Sequence, residues 1–226
     1  MPRAAERNGW RGGWWRGARR VASPNHGPRP RGTTVDLLVL HSISLPPGVY
    51  GGDEVERLFT NRLDPTAHPY FERLRGLRVS AHFFIRRDGE LLQFVDCERR
   101  AWHAGASSWR GRANCNDYSI GVELEGLEGE RFEAAQYRAL VRLVRGLRRR
   151  FTLAEVVGHE QIAPGRKSDP GPGFDARALG RALRRSSVCR HIAVTIGQPL
   201  PTRHPTRFAA AGRIKASTSS TNARRR

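Results

Sequence analysis

The sequence predicts an α/β domain, a mixed central β-sheet flanked by helices, and three patterns lead to it. Apolar runs such as Leu37, Leu38, Val39, Leu40, and the alternation of Ile120, Val122 and Leu124, read as strands. Segments at a helical period lie between them; the clearest, residues 133–149, sets Tyr137, Leu140, Val141, Val144 and Leu147 on one face. Two further runs, 81–86 and 90–95, flank Asp88-Gly89, a hairpin signature. Strands interleaved with helices, with one hairpin among them, give helices packed on a sheet.

In chain order, residues 1–13 are mostly Gly, Arg and polar without periodicity and read as a flexible extension; 14–30 read as an extended arm of aromatics and prolines. The first strand is 37–41. A short helix over 53–59 puts Val55, Leu58 and Phe59 on one side, and another fits 68–74. After the hairpin, Ala101, Trp102, His103, Ala104 and Gly105 form a loop, read equally as loop packing or as an aromatic wall for a sugar. In the strand 119–126, Gly121, Glu123 and Glu125 face away from the apolar side chains, so a carboxylate projects from the far side of a core strand. A last helix covers 175–185, with Asp175 as N-cap and a shallow face of Ala178, Leu179, Ala182 and Leu183. From 187 to 226 no period survives and no acid occurs, the pattern of a disordered basic tail.

The length of 226 residues fits one domain with tails, here 14–186. Forty basic against twenty-one acidic residues give +19, a balance common in nucleic-acid binders. Nearly all the cations are arginines, however, spread along the chain, and no recognition motif accompanies them, so no specific nucleic-acid partner is expected. Lys167 stands out as a lysine in an arginine-rich domain, a compact point charge where a guanidinium would be bulky. Cys97, Cys115 and Cys189 form no C-x-x-C pair and an odd count, which reads as reduced thiols in a cytoplasmic protein. No apolar run reaches membrane-spanning length, and no signal-type apolar region follows the N-terminus.

The chemistry gathers around Val156-Val157-Gly158-His159 and the loop after it. His159 follows an apolar run and lies at a strand end. Asp169 comes ten residues later in a loop punctuated by Pro164, Gly165, Pro170 and Gly171, long enough to fold back beside it. His41 ends the first strand in the same way. Two strand-end histidines and a loop carboxylate make an open three-ligand zinc site, the fourth position left for water, and Lys167 sits beside it in sequence. His82, inside a strand, reads as structural or as support behind the site.

Five stretches in order, LLVLHSISLPPGVYGG, LRVSAHFFIRRDGELLQFV, RAWHAG, CNDYSIGVELEG and GHEQIAPGRKSDPGPGFD, resemble the amidase-2 family of N-acetylmuramoyl-L-alanine amidases. Within it they are most similar to the cytoplasmic branch of cell-wall recycling specific for 1,6-anhydro-muropeptides. The family is related to T7-type lysozyme and the peptidoglycan recognition proteins, and the resemblance implies their fold. It also implies a monomeric zinc amidase cutting between the lactyl group of N-acetylmuramic acid and L-alanine. His41, His159 and Asp169 then hold Zn²⁺, Glu123 rather than Glu125 is the base, and Lys167 stabilises the oxyanion. Arg78, Trp102, His103 and Ala104 match substrate-binding positions. Where members often carry a basic residue before Cys115, this chain has Asn114. The T7-type relatives use a cysteine ligand and a tyrosine, so Asp169 and Glu123 favour the recycling branch. The alternative, a binding-only peptidoglycan module of the same fold, goes with loss of a ligand, and all three are present.

Overall fold

A computed structural model describes residues 9–197. The strand Leu37–Ile43 is apolar on both sides and is accordingly buried on both: Leu38 and Leu40 face one side, Leu37, Val39 and His41 the other. Such a strand belongs in the middle of a sheet with both faces covered. Across the seven-stranded sheet the order is Ala193–Thr195, Glu155–Gly158, Leu37–Ile43, Ser119–Glu125, Phe83–Ile85, Leu91–Gln93 and Arg19–Arg20. The first five run parallel; the hairpin at Asp88-Gly89 reverses Leu91–Gln93, and Arg19–Arg20 pairs with that strand in parallel.

One face is covered by the helices Ala134–Arg148 and Ala176–Arg184, which bury Leu140, Leu143, Leu147, Leu179 and Leu183 over Leu38, Leu40, Ile120 and Val122. Glu133 and Gln136 close the start of the long helix as a reciprocal capping box, and the Gln136 amide also donates to the carbonyls of Ile85 and Glu125, tying helix to sheet. Gly146 sits inside this helix at a cost of about 1 kcal/mol relative to alanine. The Trp15 ring explains it, because an added Cβ would stand 2.6 Å from that ring. The opposite face carries two smaller clusters, one around Phe59, Phe71, Phe84 and Phe94, the other around Ala104, Cys115, Val157 and Ile162.

The expected elements are present, with short helices at Glu54–Phe59 and Pro69–Glu72, but two boundaries differ. Residues 9–13, expected to be extension, fold into a hairpin in which Trp10–Arg11 pairs with Trp14–Trp15. Trp10 is 1% exposed and meets Trp15 edge-on at 4.9 Å between ring centres. Two-residue strands are too short to show a period. Residues 187–197, expected to be tail, add the strand Ala193–Thr195 to the sheet edge and bury Cys189, Ile192 and Ile196. The rest of the expected extension and tail, 1–8 and 198–226, lies outside the described residues.

Trp10→Ala is expected to lower unfolding free energy by about 3–5 kcal/mol, the cost of removing a buried aromatic, as read by urea denaturation. A loss under about 0.5 kcal/mol, typical of surface positions, would put the hairpin outside the cooperative core.

Candidate metal centre and active-site cavity

Three parallel strands bring their carboxyl ends to one level. Glu123 is in register with His41, and Gly158 with Leu40, so His159 leaves its strand level with His41. In open parallel sheets this end is where ligands bind. Past Gly158 the chain turns into the short helix His159–Ile162, and the loop returns to set Asp169 against both histidines. His41 Nδ1 and His159 Nδ1 are 2.9 Å apart, and each lies 3.1 Å from Asp169 Oδ2. All three side chains are buried.

The donor set fits zinc. His159 Nε2 lies 3.1 Å from the Ala104 carbonyl, which only accepts, so the proton is on Nε2 and the Nδ1 lone pair points inward. Asp169 adds an anionic oxygen to the same point. Ligands about 2.1 Å from a tetrahedral ion stand roughly 3.4 Å apart, close to the separations observed. Burial, then the neighbouring His159, lowers the pKa of His41 to about 4, which keeps this imidazole neutral and able to ligate.

These residues form the floor of a cavity of about 480 Å³, which Glu123, Lys167, Trp102 and His103 also line, with an apolar wall from Leu45, Pro47, Leu58, Tyr70, Leu74 and Val79. Glu123 is buried and its Oε2 has no hydrogen-bond partner. Burial raises its pKa well above the usual value, the Asp169 charge adds to the rise, and Lys167 opposes it. Glu125, two residues on, is already engaged: its carboxylate accepts from the backbone N–H of Gly51 at 2.6 Å and of Arg87 at 2.9 Å. Of the two glutamates, Glu123 is therefore the one with a free oxygen in the cavity.

The expected substrate-binding set divides. Trp102 lines the cavity. Ala104 is fully buried and not among the lining residues; its carbonyl faces His159 and also accepts from Arg166. His103 lines the cavity, but its ring is bonded to His41. Arg78 is exposed and lines an adjoining cavity of about 170 Å³ that shares Leu58, Leu74 and Leu77 with the larger one. Asn114 takes φ 55°, a left-handed conformation that asparagine tolerates better than most residues. His82 is structural, accepting from the Gly121 N–H and donating to the Arg99 carbonyl.

Two supporting residues escaped the sequence reading. The Asn116 side-chain oxygen accepts from the N–H groups of both His103 and Ala104, and the Arg29 guanidinium reaches the carbonyls of Cys97, Asn116, Asp117 and Ser119. Both partnerships join segments distant in sequence, and neither residue sits in a pattern that announces it.

The chain belongs to the N-acetylmuramoyl-L-alanine amidase family, whose profile matches residues 31–172, a span that includes His41, Glu123, His159, Lys167 and Asp169. Within that family it is 52% identical over 165 residues, 72% of this chain and 90% of the other, to the 1,6-anhydro-N-acetylmuramyl-L-alanine amidase AmpD of Escherichia coli strain K12. The crystal structure of a selenomethionine AmpD derivative superposes with a TM-score of 0.72 at 50% identity, covering 75% of this chain and 97% of that one. A complex of the E. coli amidase AmiD with the substrate anhydro-N-acetylmuramic acid-L-Ala-D-γ-Glu-L-Lys gives 0.50 at 27% identity, covering 68% and 60%.

Glu125→Ala is expected to destabilise the fold by about 1–3 kcal/mol, since it strips two backbone donors of their acceptor, while leaving metal content unchanged. Calorimetry, zinc analysis and turnover of the variant read this; loss of turnover with zinc and stability unchanged would reverse the roles given to the two glutamates.

Proposed function

We propose that this chain is a zinc-dependent amidase that hydrolyses the amide between the lactyl group of 1,6-anhydro-N-acetylmuramic acid and the L-alanine of the stem peptide, in cytoplasmic muropeptide recycling. The observation that carries the reading is the meeting of two imidazole nitrogens and a carboxylate oxygen within 3.1 Å, beside the unpartnered oxygen of Glu123. His41, His159 and Asp169 would hold the ion. Bound there, zinc supplies a water acidified toward a pKa of about 7 and a polarised scissile carbonyl.

The remaining work falls to side chains. Glu123 would take the proton of the attacking water and return it to the departing nitrogen: the Lys167 charge favours the carboxylate that accepts, and burial beside Asp169 favours the carboxyl that donates. Lys167 sets an ammonium at the cavity where negative charge develops on the carbonyl oxygen. An apolar wall facing a polar floor suits a substrate with both sugar and peptide parts, Trp102 meeting the sugar and Arg78 reaching a peptide carboxylate from the adjoining cavity. The relatives' names and the AmiD complex support the anhydro-muramyl substrate.

A binding-only module has no use for a buried, unpartnered carboxyl, which costs about 1–3 kcal/mol of stability. The three cysteines are free and buried, as suits a reducing compartment. Among the described residues no helix is long and apolar enough to cross a membrane. The working form in this reading is a monomer without a nucleic-acid partner.

Chelation is expected to abolish release of L-alanyl peptide from an anhydro-muropeptide, and stoichiometric zinc to restore it. Glu123→Ala should keep its zinc yet lose about 10²–10⁴ in rate, and Lys167→Ala about 10²–10³. Asp169→Ala should lose zinc and turnover together. Undiminished turnover in metal-free protein, or in Glu123→Ala, contradicts the mechanism.

A further inference from the structure

His41 is held from behind by a row of hydrogen bonds that ends on the backbone. Its Nε2 lies 2.9 Å from His103 Nδ1, and His103 Nε2 lies 3.2 Å from the Ser119 hydroxyl, which donates to the Cys115 carbonyl at 2.6 Å. A carbonyl can only accept, and that fact orders the protons along the row. The Ser119 proton points to Cys115, so the Ser119 oxygen accepts from His103 Nε2. The His103 Nδ1 of a neutral ring is then a lone pair, and His41 must carry its proton on Nε2. His41 Nδ1 is thereby left bare toward His159 and Asp169.

We propose that His103 is a positioning residue which, with Ser119, fixes the tautomer and ring orientation of His41 so that its Nδ1 lone pair faces the bound ion. The inference rests on the zinc reading above and departs from a substrate-contact role for His103. The structure is built around this ring. Gly121 lies beneath it, where an added Cβ would stand 2.4 Å from the imidazole, so the strand must carry glycine there for His103 to reach His41. Asn116 clamps the His103 and Ala104 N–H groups at 3.1 and 2.9 Å. The same two-residue segment thus orients both histidines, His41 through the His103 ring and His159 through the Ala104 carbonyl. Groups that orient metal-bound histidines in this way set ligand basicity and geometry.

The test uses the full chain. Long-range ¹H–¹⁵N correlation of the metal-free protein identifies which His41 nitrogen carries the proton, and competition with a chromophoric chelator measures zinc affinity. Wild type is expected to show His41 protonated on Nε2. His103→Ala should weaken zinc binding about 10- to 100-fold and let His41 populate both tautomers. His103→Asn, whose side-chain oxygen can accept where Nδ1 did, should recover most of that loss, a rescue that mere space-filling would not give. Ser119→Ala, a milder change should the alanine at 103 fail to fold, should also mix the His41 tautomers. A His41 proton on Nδ1 in wild type, unaltered tautomers in Ser119→Ala, or wild-type zinc affinity in His103→Ala overturns the proposal. Absence of zinc binding by wild type overturns the zinc reading instead, and the His41 tautomer is still read from the spectrum.

Discussion

The register between Leu37–Ile43 and its two parallel neighbours is the constraint on which the site depends. Pairing Glu123 with His41 and Gly158 with Leu40 sets three functional side chains at one height, on the face away from the long helices. A slip of one residue turns a strand's side chains to the opposite face, which here would turn His41 toward Ile120, Val122 and the helix Ala134–Arg148 and carry Leu38 and Leu40 out of that apolar layer. Burying that layer therefore selects the alignment that chemistry needs. Stability and function are set by the same hydrogen-bond ladder.

Electrostatics then separates neighbours that share one environment. Burial disfavours charge throughout the cavity floor; Asp169 lies 3.1 Å from both inward-facing imidazole nitrogens, placed to share a cation with them, while Glu123, with no partner on Oε2, is pushed toward the protonated form. One carboxyl is fitted to hold a cation and the other to carry a proton. Glu125, on the same face of the same strand, has backbone donors on both oxygens and is committed to structure. Environment rather than residue type assigns the three roles.

Much of this was legible in the sequence because it rests on local pattern. An apolar run closing on a histidine marks a strand end, and clean alternation in 119–126 puts glutamates on the far face. Alternation could not choose between Glu123 and Glu125, since the choice is made by the N–H groups of Gly51 and Arg87, far away in the chain. The contacts of His103, Ala104, Asn116 and Arg29 were hidden for the same reason, though Gly121 was a signal: a glycine in an otherwise well-patterned core strand marks the close approach of another group. Short terminal pieces at 9–13 and 187–197 were missed because two- and three-residue strands carry no period, and their anchors, Trp10, Cys189, Ile192 and Ile196, are too sparse to show one.

Anomalous diffraction from crystals of the purified protein, recorded on either side of the zinc absorption edge, tests the central claim most directly. The account requires one peak per chain, bonded to Nδ1 of His41, Nδ1 of His159 and a carboxylate oxygen of Asp169, with Glu123 outside bonding distance. A site left without a zinc peak after zinc addition, or a peak bonded through Nε2 of His41 or directly to Glu123, would contradict it.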